Sequence, residues 1–226
     1  MNTFYQQHIA LQWGVAIILA AIGFLPVMAI TAQGIFNPLY YLLILLYLPV
    51  GQFSFTPIFA LTGVYKYYSP MLLGYLPNDK VIDLHSGSSF DYLFVFVLGK
   101  GDGDPSVDKL SLRKRILAYH FMGLLNLIQR IEDGEIPDSV EVSGTSYFFN
   151  ERTAQKLGFS LEAPTTFYRI NLYANFIDIF WMYSLSQGRL TFPRLGDAKK
   201  ITTTGRTLVT QKETIQRYVT MLTARA

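Results

Sequence analysis

Cysteine is absent from the 226 residues and histidine occurs three times. The first absence excludes disulfides, thiolate nucleophiles and every cysteine-ligated metal site. His8, His85 and His120 are far apart, and no H-E-x-x-H pattern occurs, so no metal-ligating spacing is present. Neither a metal nor a cofactor is expected. Also missing are the G-x-S-x-G elbow of serine hydrolases and the G-x-x-x-x-G-K-[ST] phosphate loop. The glycine-acid run at 99–105 is not an EF-hand, because Arg113 stands where the last-position Glu should be, so a flexible connector is expected there.

Charge is scarce and unevenly spread. Lys, Arg, Asp and Glu make up 15% of the chain, against about 25% in a typical soluble domain. Up to Asn78 the only one of them is Lys66, and the other 34 follow from Asp79 onward. The net charge of +3 comes without a long basic run or a groove-binding motif, so no nucleic-acid partner is expected.

The charge-poor opening contains two long apolar runs. Residues 9–30 carry no charge and as a helix would reach roughly 33 Å, enough for a hydrocarbon core of about 30 Å. The run is too long for a signal peptide, and no Lys or Arg precedes it. A second run covers 38–55 and is interrupted by Pro49 and Gly51. The short uncharged link between them suits a tight hairpin. Tyr65, Tyr67 and Tyr68 around Lys66 resemble a headgroup zone. The expected organisation is therefore a transmembrane helical hairpin over 1–64, an interfacial linker over 65–79 and an α+β domain over 80–226. Lys66 and Lys80 follow the second run closely, and the positive-inside rule then puts the domain and both termini in the cytoplasm.

Within the domain, 81–98 reads as strands around a polar turn at 85–89. Residues 106–133 read as one helix with an apolar stripe through Ile116, His120, Leu124, Leu127 and Ile131. Strands are expected at 140–142, 145–149, 165–169 and 201–204. Helices are expected at 150–157, 171–186 and 211–223. The mixture lacks a regular βαβ alternation, which favours α+β. Residues 171–186 are very apolar, but the run is short and holds Asp178, so a buried helix or one lying on the bilayer is expected rather than a third span.

The densest polar cluster is His85 with the serines at 86, 88 and 89 and with Asp91. In catalysis His85 would be the acid or base, Asp91 its orienter, and Arg169, with Ser146 as an alternative neighbour, would meet an anionic group. Lys66, Arg113, Lys114 and Arg115 are candidates for contact with anionic headgroups. Residues 150–159 (NERTAQKLGF) resemble, over that stretch only, the end of GNAT-type acetyltransferases, where an Asn and an Ala precede a Gly-Phe pair. The Q/R-x-x-G-x-G/A loop with which that family holds the acyl-CoA pyrophosphate is absent, and a capped helix ending in Gly-Phe also accounts for the segment. The leading expectation is a bilayer-anchored domain that binds a protein partner, anionic lipid headgroups or a small ligand. The alternatives are a membrane-bound transferase or hydrolase acting on a lipid-linked or headgroup substrate, and an accessory subunit of a larger membrane complex.

Overall fold

A computed structural model describes residues 2–99, 105–145 and 151–224. A single turn, Thr3–Gln6, precedes α1 (Ile9–Phe36), which a 3-10 segment, Pro38–Leu42, joins to α2 (Leu43–Leu61). Both helical stretches, Ile9–Phe36 and Pro38–Leu61, are long and apolar enough to cross a membrane. They pack as a hairpin on small residues: a Cβ on Gly23 would lie 2.7 Å from Ser54, and one on Gly34 would lie 2.6 Å from the Tyr41 ring.

The strands follow as β1 (Tyr65–Ser69), β2 (Leu72–Tyr75) and β3 (Val81–Ser86). Next come α3 (Ser89–Tyr92) with a π-helical extension, Leu93–Val97, then α4 (Pro105–Asp108), α5 (Leu112–Glu132) and β4 (Glu141–Thr145). The chain continues through α6 (Glu151–Lys156), β5 (Ser160–Glu162), α7 (Thr166–Ala174), α8 (Phe176–Gln187), β6 (Lys200–Thr204), α9 (Gly205–Thr210) and α10 (Lys212–Thr223). The six strands form one sheet in the order β1-β2-β3-β4-β6-β5. The β3–β4 pair is parallel and the others are antiparallel.

Strand alternation divides the sheet into two unlike faces. Tyr68, Leu72, Ile82, Leu84, Val142 and Ile201 point to one side, where Phe121, Leu124, Leu127, Ile128 and Ile131 of α5 close the core with Leu208 and Ile215. Each such side chain contributes roughly 1.5–3 kcal/mol relative to exposure. Residues of the opposite face, among them Asp83, His85, Ser143, Ser160, Lys200 and Thr202, are mostly polar. Gly123 lets α5 approach β2, since a Cβ there would lie 2.7 Å from both Cβ and Cδ2 of Leu72. Gly123→Val is expected to destabilise the domain by about 1–3 kcal/mol through overpacking, read as a lowered thermal midpoint in detergent.

Several expectations are corrected. The stretch expected as an interfacial linker, 65–79, supplies β1 and β2, so the domain starts near Tyr65 rather than at 80. Tyr65 and Tyr67 share one sheet face and Tyr68 points to the other, and Tyr67 and Tyr68 are both buried. The N-terminal segment also belongs to the domain, because Asn2 bonds Asp91 and Phe4 packs edge-on against Phe90. Residues 89–97 are helical instead of extended. A capping box between Ser88 and Asp91 starts that helix, and an apolar run buried on most sides shows no helical period in sequence. Residues 165–169 open a helix as well, because the Thr165 side chain accepts from Tyr168 N. The expected helix over 106–133 is broken between Asp108 and Leu112, where Val107 and Leu110 turn into the core. Most of the strand expected at 145–149, together with Ser146, lies outside the described residues.

Candidate functional site

β3 and β4 run parallel only as far as Leu84 and Gly144. The described pairing of the two strands ends at that rung. β3 stays with β2 through Ser86, and β4 stays with β6 through Thr145. Gly144 sits at the last shared rung, where a Cβ would come within 3.1 Å of the Leu84 carbonyl oxygen. A cavity of about 580 Å³ fills this position. It lies outside the carboxyl ends of a parallel pair, where open sheets hold ligands, and its size suits a small molecule.

Both sheet and helices build its walls. β3 contributes His85 and Ser86, and β4 contributes Gly144 and Thr145. α5 presents His120 and Leu124, while Gln52 and Phe59 come from α2. The α7–α8 segment closes the remaining side with Asn171, Asn175, Asp178 and Met182. Gln52 Nε2 donates to Asn175 Oδ1, which ties the apolar helix α2 to the α7–α8 junction.

The chemistry centres on His85. Its Nε2 lies 2.9 Å from Asp83 Oδ2, and Ser143 Oγ donates to Asp83 Oδ1 at 3.0 Å. Asp83 and His85 are two apart on one strand and so share a face, and Ser143 is the cross-strand neighbour of Asp83. Burial pushes the Asp83 carboxyl up. The hydrogen bond and charge of His85, the Ser143 hydroxyl and Lys200 outweigh that effect and hold it below the usual carboxylate value. Asp83 is therefore an ionised partner that fixes the His85 ring. With Nε2 occupied, Nδ1 is the nitrogen left to exchange a proton.

Asp178 is an acid of the cavity lining itself. It is buried, and both Ser89 Oγ and Trp181 Nε1 donate to its Oδ1, the latter at 3.0 Å. Burial raises its pKa, with the two donors pulling the other way. His120, buried on α5, has its Nδ1 2.7 Å from the Ile116 carbonyl oxygen, and burial lowers its pKa to about 4, so it is neutral at pH 7.

The sequence-derived candidates are only partly brought together. His85 lines the cavity. Asp91 does not orient it, because that carboxylate is fully buried and engaged by Asn2, Tyr67 and Ser88. Adjacency in the chain is a poor guide here: i and i+2 share a strand face, whereas the helix starting at Ser89 carries Asp91 away. Arg169 is exposed on α7 and is not among the cavity residues. Of the headgroup candidates, Arg113 and Lys114 are exposed and Lys66 is half-buried in β1. Arg115 instead pairs with Asp108 at 2.8 Å and lies over the Phe96 ring, joining α5 to the segments before it. Sequence reasoning missed Asp83 and Asp178 as site residues. A lone acid in a strongly apolar helix was the available signal for Asp178. Among the described residues no three of His, Asp and Glu cluster as a metal site would require.

Together these features describe a mixed helix and sheet domain with two long apolar helices at its N-terminus and a ligand-sized cleft at the carboxyl ends of its parallel strand pair. Comparison of the chain with known protein families, with characterised proteins and with solved structures gives no match.

Proposed function

We propose that this chain is a membrane-anchored acyltransferase whose cleft holds the thin, amide-bearing arm of an acyl thioester and passes the acyl group to a membrane-borne amine or hydroxyl. The observation that carries this reading is the cavity at the carboxyl ends of the parallel β3–β4 pair, walled by His85 and Ser86 on one strand and by Gly144 and Thr145 on the other. Backbone N–H and C=O groups at strand ends can pair with an extended ligand as an added strand would. Amides spaced along a flexible arm suit such groups. Leu72, Leu84, Leu124 and Phe159 provide apolar wall for an acyl chain. The resemblance of 150–159 to GNAT-type enzymes supports the same class: α6 follows β4 there, and Phe159 of the Gly-Phe pair lines the cavity.

The step balances without an oxidant or reductant. The acceptor nitrogen or oxygen bonds the thioester carbonyl carbon while its proton passes to His85 Nδ1. The carbonyl then re-forms, the C–S bond breaks, and the thiolate leaves with the proton from the imidazolium. Asp83 stabilises that imidazolium and keeps its orientation.

The bilayer is the first partner in this reading. Both domain-proximal ends of the hairpin lie on one side, as the Asn2–Asp91 bond and the packing of Phe53 on Phe90 indicate. Lys66 and Lys80 support a cytoplasmic domain with cytoplasmic termini. A binding domain without chemistry would share the cleft and part from this reading at His85.

The test uses the full chain in lipid nanodiscs containing an aminophospholipid, supplied with S-decanoyl pantetheine and a thiol-reactive dye. A protein without cysteine contributes no background thiol. Saturable thiol release with a decanoylated lipid product in the mass spectrum is expected. A folded protein that forms neither product removes acyl transfer and leaves the binding reading.

A further inference from the structure

The hairpin does not account for all of the exposed apolar surface. Ile170 (62% exposed) and Tyr173 (61%) lie three apart on α7, and Leu190 (86%) and Phe192 (71%) follow α8. The Phe192 ring stacks on Phe180 at 4.8 Å between centroids, so this loop is held against α8. The charged residues of 163–193 are Arg169, Asp178 and Arg189. Asp178 is buried and both arginines are exposed, so this surface turns apolar groups and bases outward and no acid. Such a mixture matches the interface of a membrane with anionic lipids.

Depth makes the same point independently. Most of Pro38–Val50 is exposed and none of it is buried, but from Gly51 onward α2 packs on its neighbours, with Gln52 on Asn175 and Phe53 on Phe90. Five residues of 3-10 helix and eight of α-helix give that outward stretch a reach of only about 22 Å, short of a core of about 30 Å. A hairpin that crosses the core therefore carries the Gln52–Asn175 contact, and α7 with it, down to the lipid.

We infer that α7, α8 and residues 190–192 form a third membrane-contacting element, lying in the bilayer interface beside α2 without crossing it. The inference rests on the membrane-anchor reading and deepens it: the cavity then sits at leaflet depth, with α2 and α7–α8 as its lipid-side walls.

Single-cysteine variants of the cysteine-free chain provide the test. Ile170→Cys, Leu190→Cys, Ile22→Cys in α1 and Glu213→Cys on α10 each receive an environment-sensitive dye in phosphatidylcholine–phosphatidylglycerol nanodiscs. Quenching by iodide in water is compared with quenching by spin-labelled lipid. The expected result is lipid quenching at 22, 170 and 190 and iodide quenching at 213. Lipid quenching at 22 with iodide quenching at 170 and 190 overturns the inference while the anchor stands. Iodide quenching at 22 overturns the anchor and the inference together. Shielding of 170 and 190 from both quenchers means that a protein covers the patch, which also overturns it.

Discussion

Asp91→Ala is expected to lower the stability of the domain by about 3–5 kcal/mol, because it strands buried donors rather than merely removing a contact. The carboxylate accepts from Asn2 Nδ2 at 2.9 Å, from Tyr67 Oη at 2.9 Å to each oxygen, and from Ser88 N and Oγ at 2.9 and 3.0 Å. These bonds hold three separate pieces together: the N-terminal segment, β1 and the start of α3. Against a typical total of about 5–15 kcal/mol the loss is large. Thermal unfolding in detergent should show it, along with protease sensitivity of the N-terminal segment. A midpoint close to wild type would mean that the three pieces are held by apolar packing alone.

The same carboxyl gives a pH dependence of unusual sign. Burial raises its pKa from 3.8 to about 6, and the hydrogen bonds from Ser88, Tyr67 and Asn2 offset this only in part. The folded chain therefore binds this proton more tightly than the unfolded chain. The resulting stability is complete below about pH 4 and is lost as pH rises through about 6, an amount near 3 kcal/mol. Asp91→Asn, which keeps one acceptor oxygen, should cost less than alanine and should flatten the midpoint between pH 4 and pH 6. An unchanged slope would place the titration elsewhere.

His85→Ala is expected to reduce thiol release from an acyl thioester by about 10²–10⁴-fold, the usual range for a positioned acid–base group. The side chain is partly exposed in the cavity wall and packs on no core cluster, so the fold should survive the change. KM for the thioester should stay near wild type, because the strand ends and apolar wall that hold it are untouched. Asp83→Asn should give a smaller loss of kcat with the same KM, since it changes the ring's partner and not the ring. Equal turnover by wild type and His85→Ala would remove His85 from the chemistry.

Local cues in the sequence marked some of these features and not others. The strip around β3 shows the division. His85 stands out as a histidine in a polar turn, so its candidacy was legible. Its partner was not, because nothing in the order H-S-G-S-S-F-D indicates that the chain becomes helical at Ser89. Once it does, the carboxylate three residues past Ser88 caps the helix and the carboxylate two residues before His85 shares its strand face. The α7–α8 segment is similar. Its apolar character and lone Asp178 were visible, yet the Gln52–Asn175 bond that joins it to α2 spans most of the chain.

The near-absence of charge before Asp79 by itself determined the two long apolar helices, because one segment's composition decides whether it can form an apolar span of that length. The stripes of α5 and α10 and the short strand β6 were also local properties of their residues. Three-dimensional contacts were needed to show that 65–75 pairs into the sheet and that Asp83 rather than Asp91 meets His85. These depend on register and on contacts between residues far apart in the chain, and hydrophobic periodicity carries no information about which distant strand a segment will join.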